Sequence, residues 1–264
     1  MKQLLQDVLH SVATAFTMFS RMPMPRVEWK PEHMRYTLAS FPLVGVVLGL
    51  VLAVWWLICR WLAFDSILFG AGVALLPVLF TGGIHLDGFC DTVDALSSHA
   101  EPEKKRAILK DPHAGAFAVI GVCSYLIAYF ALGTQLQGDH ISTVILFCIP
   151  VMSRAVAGYV SVSAQSSGTG LLSGMVDAAV QTKTKNALTV WFVLFALVML
   201  AVSPFAGLFV VLGAALCGWL VRRIANKEFG GMSGDLAGFL VQVSELVMLL
   251  ILILLQRVIW IWFW

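Results

Sequence analysis

Two kinds of segment alternate along this chain: apolar runs without a single charge, and short polar stretches that hold nearly all of its ionisable groups. Four uncharged runs occupy 38–59, 66–84, 115–138 and 188–221, and two more, 141–163 and 236–255, each carry one charge, Arg154 and Glu245. Crossing a hydrocarbon core of about 30 Å takes about 20 helical residues. The 188–221 run is too long for one crossing, and Ser203-Pro204 near its middle interrupts the helical hydrogen-bond ladder, which predicts two short spans joined by a tight turn. Ahead of the first run, Leu4, Val8, Val12, Ala15 and Phe19 fall roughly on one face of an amphipathic helix over 4–19, lying on the membrane surface or packed over the bundle. The pattern predicts an all-α, polytopic integral membrane helical bundle of about seven transmembrane helices plus the N-terminal amphipathic helix. It forms one membrane-embedded domain, 1–264, with an N-terminal cytoplasmic segment at 1–36 and an acidic catalytic segment at 82–114.

Composition strengthens this reading, since 59% of the residues are hydrophobic, only 12% are charged, and the mean hydropathy is +0.89. No water-soluble globule with a polar face on every helix has that balance. Basic residues set the orientation: with the N-terminus in the cytoplasm, every Lys and Arg except Arg60, Arg154 and Arg257 falls in an inside segment. The C-terminus is then outside, where Trp260, Trp262 and Trp264 read as an aromatic anchor. Asp7 and His10, with no long apolar stretch between the charged start and residue 20, argue against a cleavable signal peptide. A formal charge of +2 is too small to suggest nucleic acid as a partner. The five scattered cysteines include no CxxC pair and read as apolar filler, four of them buried, not as disulfides or zinc ligands.

Against this background the acidic cluster stands out. In residues 82–96, Asp87, Asp91 and Asp94 follow an i, i+4, i+7 spacing that places their carboxylates in one stripe of a helix. Like charges so close repel unless a cation or protons sit among them. Oxygen-only ligands suit Mg²⁺ or Mn²⁺ better than Zn²⁺. A solvated helix start with acids at the positive end of the dipole gives the same spacing, so spacing alone leaves both readings open. His85, two residues before the cluster, is a general base, a ligand, a phosphate contact or a hydrogen-bonded structural residue. Arg154 and Glu245 each lie about ten residues, or roughly 15 Å, from the cytoplasmic ends of their spans and are placed to meet as an ion pair, either structural or supporting an active site. Two glycine-rich inside loops, 166–170 and 230–235, suit close approach to phosphate or a plain turn, and neither matches a nucleotide-binding motif.

Several stretches together resemble the cobalamin synthase family, the adenosylcobinamide-GDP ribazoletransferases. They are Phe19-Ser20-Arg21-Met22-Pro23-Met24-Pro25, Phe41-Pro42-Leu43-Val44-Gly45, the signature His85-x-Asp87-Gly88-x-x-Asp91-x-x-Asp94, Lys110-Asp111-Pro112-His113, Arg154, and Gly230-Gly231-Met232-Ser233-Gly234-Asp235 followed by Glu245. The resemblance implies a Mg²⁺-dependent step in vitamin B12 synthesis, in a multi-pass protein of the bacterial inner membrane with its site on the cytoplasmic side. A ribose hydroxyl of α-ribazole, or of its 5′-phosphate, attacks the cobinamide-side phosphorus of adenosylcobinamide-GDP, and GMP leaves. On this resemblance Asp87, Asp91 and Asp94 bind metal, helped by Asp111 or Asp235. Arg154 faces a phosphate, and Lys110, Gly231, Gly234 and Glu245 contact substrate. His85 is the first candidate for the base, with a carboxylate as the alternative. The small-molecule substrates and the lipid bilayer are the expected partners, and a homo-oligomer is compatible with all of this. A CDP-alcohol phosphotransferase shares an Asp-Gly-led run of aspartates, but Cys90-Asp91 stands where its Ala-Arg pair belongs. A cation-coupled transporter would use Arg154 and Glu245 as coupling charges, but the acids gather in a loop and the spans show no evident inverted repeat.

Overall fold

The computed structural model of the chain describes residues 2–25, 28, 30–136, 140–167 and 170–263, with the side chains of 2–5, 140, 141 and 259–263 excepted. The predicted positions Arg26, Gln137, Gly138, Gly168, Thr169 and Trp264 therefore lie outside the described residues, as do the side chains of Trp260 and Trp262. The described residues form twelve α-helices and one π-helical turn: α1 (Lys2–Phe19), α2 (Pro31–Met34), α3 (Thr37–Trp61), α4 (Ser66–Thr81), α5 (Ile84–Ser97), α6 (Pro102–Ile108), α7 (Ala116–Thr134), α8 (His140–Ser163), α9 (Leu171–Ala178), α10 (Gln181–Val202), α11 (Pro204–Ile224), the π-helical turn Ala225–Phe229, and α12 (Gly234–Phe263). Six helices are long and apolar enough to cross a membrane, and the bent pair α4–α5 makes up to seven, which agrees with the all-α polytopic prediction.

Apolar side chains face outward along these helices, among them Ile127 at 67% exposure, Val190 at 65% and Leu197 at 59%. Such a belt belongs in lipid, where the helix satisfies every backbone group internally. The interior is organised around α8 and α12. Ile145, Ile149 and Met152 of α8 are fully buried with Leu240, Met248 and Leu249 of α12. Gly45 and Gly49 let α3 come so close to α8 that a Cβ on either would lie within 2.5 Å of a carbonyl oxygen, that of Pro150 or Phe147.

Ser203 in extended backbone and Pro204 at the first position of α11 divide the long apolar run where the sequence predicts. The two helices are not short, however: α10 has 22 residues and α11 has 21, because α10 starts at Gln181 and α11 runs on to Ile224. The face of α1 also differs in part from the prediction. Val12, Ala15 and Phe19 pack inward as predicted, but Asp7, Ser11 and Thr14 are buried beside them and Val8 is 36% exposed. Polar bonding turns the helix this way: Ser11 Oγ donates to the His33 carbonyl and accepts from the Tyr36 N–H, and Arg35 reaches Asp7. Of the cysteines, Cys59, Cys148 and Cys217 are buried, Cys90 is intermediate and Cys123 exposed, so one fewer is interior than expected.

Chain direction then sorts the connections into two kinds. Among the described residues, one end of the bundle has the short links 62–65, 135–136 and Ser203, while the other carries α1, α2, α5, α6, α9 and the π-helical turn. At that elaborate end α4 stops and α5 leaves at 98° to it. The hinge is Gly82-Gly83, with φ of 67° and 80°, a left-handed conformation that residues with a Cβ seldom adopt. We place the crossing in α4, an uncharged helix ending at Thr81, and α5 with its three carboxylates outside the membrane core.

Candidate active site

Helix α5 presents its acids at this elaborate end and is held there by close backbone contact with α12. A Cβ on Gly88 would lie 2.7 Å from the Asp235 carbonyl oxygen and 2.8 Å from its Cα, and one on Gly238 would lie 3.0 Å from the His85 carbonyl oxygen. The glycine inside the His-x-Asp-Gly signature is thus what brings the stripe of α5 against the first turn of α12. Ser233 opens that turn, its Oγ accepting from the Leu236 N–H, so Asp235 sits at the positive end of the helix. Asp87 likewise occupies the first turn of α5.

The three aspartates of the signature do different things. Asp87 is exposed and Asp91 half-buried. Burial, with the neighbouring charges of Asp87, Asp235 and Asp94, pushes the Asp91 carboxyl up to about 6. Asp94 turns toward α7, where its Oδ1 accepts from the Ala118 N–H at 3.2 Å, and the missing side chain of Gly115 leaves it room. It caps a helix from outside, satisfying one of the four N–H groups that every helix start leaves unpaired.

Asp87 and Asp235 line one cavity of about 300 Å³. Phe19, Phe41, Leu38, Leu172 and Met175 form its apolar walls, and His85, Ser161 and Gly234 also border it. His85 is 4% exposed, its ring flanked by those of Phe19 and Phe41 at centroid distances of 5.9 and 5.5 Å, and its Nε2 is buried with no hydrogen-bond partner. Burial first, and then the positive charge of Arg154, holds its imidazole well below the usual range, hence neutral. Asp87 also borders a second, open hollow of about 370 Å³ over Gly82, Gly83, Cys90 and Val122.

Other expected site residues stand elsewhere. Arg154 and Glu245 meet inside the bundle, Nη1 to Oε1 at 2.7 Å, with their side chains 1% and 2% exposed. The Pro150 carbonyl and Ser153 complete the network, and neither charge is among the residues that line the cavity. Asp111 is exposed and bonded to His113, which lowers its carboxyl below the ordinary range, and it does not join Asp87 and Asp235 at the cavity. Lys110 is exposed nearby in sequence. Gly231 belongs to a backbone clasp between the two glycine-rich loops, in which the Met232 N–H donates to Gln165 and the Ser167 N–H donates to Met232. The cavity walls from α1, α3 and α9 were not read from the sequence as site residues, although Phe19 and Phe41 each open one of the stretches that carry the resemblance.

The donors present suit a hard divalent cation: carboxylate oxygens, one of which burial and then its like-charged neighbours raise to about 6. Among the described residues no three His, Cys, Asp or Glu side chains converge into a closed metal cage. Mg²⁺ in general needs only one or two protein carboxylates, with waters and substrate phosphates supplying the rest.

A family model described as cobalamin-5-phosphate synthase matches residues 11–253. The chain is 36% identical to the adenosylcobinamide-GDP ribazoletransferase of Lachnoclostridium phytofermentans, over 95% of this chain and 96% of that one. It is 30% identical to the protein of the same name from Clostridium botulinum strain Alaska E43, over 92% and 96%, and 30% identical to that of Geobacillus kaustophilus, over 89% and 91%. No solved structure matches the chain.

Proposed function

The chain belongs to the cobalamin-5-phosphate synthase family, and from that premise we propose that it transfers the cobinamide phosphate of adenosylcobinamide-GDP to α-ribazole or α-ribazole 5′-phosphate. A ribose hydroxyl oxygen forms the new bond to the cobinamide-side phosphorus, the bond from that phosphorus to the bridging oxygen breaks, and GMP carries that oxygen away. Adenosylcobalamin, or its 5′-phosphate, is the product. The observation that carries this reading is the convergence of Asp87 and Asp235, from two helices, on one cavity beside Asp91.

Each residue has a part that follows from its surroundings. Asp87 borders both hollows, so it reaches the attacking hydroxyl and accepts its proton. His85, held neutral and enclosed by Phe19 and Phe41, is too weak a base for that step and serves instead as a wall of the cavity. Asp87, Asp91 and Asp235 would hold Mg²⁺, which when bound neutralises charge on the transferring and leaving phosphates. Asp94 fixes α5 against α7, and the Arg154–Glu245 pair fixes α8 against α12. The elaborate end carries nearly all the basic residues, which supports a cytoplasmic site in a bacterial inner membrane.

Purified protein in detergent, given adenosylcobinamide-GDP and α-ribazole, should release GMP in proportion to Mg²⁺ until saturation. Absence of GMP at every Mg²⁺ concentration, from protein that still binds either substrate, would refute the reaction.

A further inference from the structure

We infer that the cavity bordered by α1, α3, α5, α8, α9 and α12 receives the aromatic base of the incoming nucleoside, with the ribose toward Asp87 and Asp235. The inference rests on the transfer reaction proposed above and adds to it which substrate, and which part of it, the cavity takes. Size excludes the other candidate ligands first. A volume of about 300 Å³ lies at the lower end of ligand sites and accepts a bicyclic base with part of its sugar, but not a corrin ring.

The walls then choose between the two bases in the reaction. Phe19, Phe41, Leu38, Leu172 and Met175 offer rings and aliphatic surface, which suits the methylated benzimidazole of α-ribazole. Guanine carries donors and acceptors along its edge, and those set against the apolar walls, away from Asp87, Asp235, Ser161 and Ser233, would lose their partners, at a cost of about 1–3 kcal/mol each. His85 adds one neutral polar ring beside the apolar walls. Charge fixes the direction of entry. Two carboxylates border the cavity and no Lys or Arg does, so the apolar end takes the base and the ribose hydroxyls face the acceptors Asp87 and Asp235. The open hollow over Gly82, Gly83, Cys90 and Val122 shares Asp87 with the cavity, which leaves the bulky corrinoid substrate an approach from outside.

Equilibrium binding to the full chain in detergent tests this, with 5,6-dimethylbenzimidazole, α-ribazole, α-ribazole 5′-phosphate and adenosylcobinamide-GDP as separate probes. Leu172→Trp, which fills the cavity from α9, should weaken the first three by about tenfold or more and leave adenosylcobinamide-GDP within about twofold. Leu172→Ala, which introduces no clash, gives a second reading if the Trp variant does not fold, and should weaken the same three by about threefold. Equal losses for all four probes, or a loss confined to adenosylcobinamide-GDP, would overturn the assignment. Because binding is read without turnover, a protein that binds the base as expected yet never releases GMP would refute the reaction and leave the pocket standing.

Discussion

Two groups of charge around helix α12 behave in opposite ways. Deep in the bundle Glu245 meets Arg154 at 2.7 Å, with Ser153 and the Pro150 carbonyl completing the network. Ten helical positions before Glu245, at the membrane edge, Asp235 stands near Asp87 and Asp91, and no described Lys or Arg lines the cavity that Asp87 and Asp235 share. Opposite charges brought out of water together stabilise a unique helix pairing. Like charges held together raise one another's pKa and leave a site that is completed only by something from outside. The first arrangement is balanced in charge, and the second is where chemistry belongs.

The largest effect should come from the acidic group. Asp87→Asn should lower turnover by about a thousandfold or more while the thermal unfolding midpoint holds or rises, since a repelling charge has gone. An active Asp87→Asn variant would mean that the like-charged group is not the catalytic one. Next comes the paired group: Arg154→Ala strands Glu245 and should cost about 3–5 kcal/mol in unfolding experiments, as in comparable soluble proteins. Arg154→Met combined with Glu245→Leu should recover much of it, and full-strength binding of adenosylcobinamide-GDP by the double variant would separate the pair from the site. Should the double variant lose that binding while folding normally, the contrast between the two groups would collapse.

A smaller effect is expected where the two helices touch. Gly88→Ala places a methyl against the Asp235 backbone and should cost about 1–3 kcal/mol, with a parallel loss of Mg²⁺ affinity read from the activation curve. Unchanged Mg²⁺ activation in that variant would argue against a shared site for α5 and α12. The smallest effect is in pH. Asp91 is raised to about 6 from 3.8, so the folded protein binds more protons than the unfolded chain between these values. In metal-free protein the contribution of Asp91 to stability therefore falls as pH rises through that window. Protons compete with Mg²⁺ in the same range, so the Mg²⁺ concentration for half-maximal turnover should rise as pH drops below about 6. A flat Mg²⁺ requirement from pH 5 to 7 would remove Asp91 from the proposed ligands.

Much of this was legible in the sequence because lipid imposes a simple rule. Uncharged length gave the spans, Ser203-Pro204 gave the break, and the scarcity of charge in the apolar runs made Arg154 and Glu245 conspicuous enough to pair. What escaped depends on direction, which spacing does not encode. Asp94 shares a stripe with Asp87 and Asp91, yet its carboxylate turns to the start of α7, because an unpaired N–H of Ala118 lies within reach. The polar side of the buried face of α1 escaped for a related reason: hydroxyl and carboxylate bonds to the segment after it add to the apolar stripe when the outer side of the helix need not be wet. The cavity walls come from six stretches of the chain, and only packing brings them together.

The backbone clasp between residues 165–167 and 231–232 has a mechanical side. It ties the end of α8 to the start of α12, and the Arg154–Glu245 pair ties the same two helices again deeper down. Two fastenings at different heights make a lever that can neither slide nor splay. The start of α12, where Asp235 borders the cavity, is thereby braced against the end of α8, so that acid has a fixed seat in the bundle.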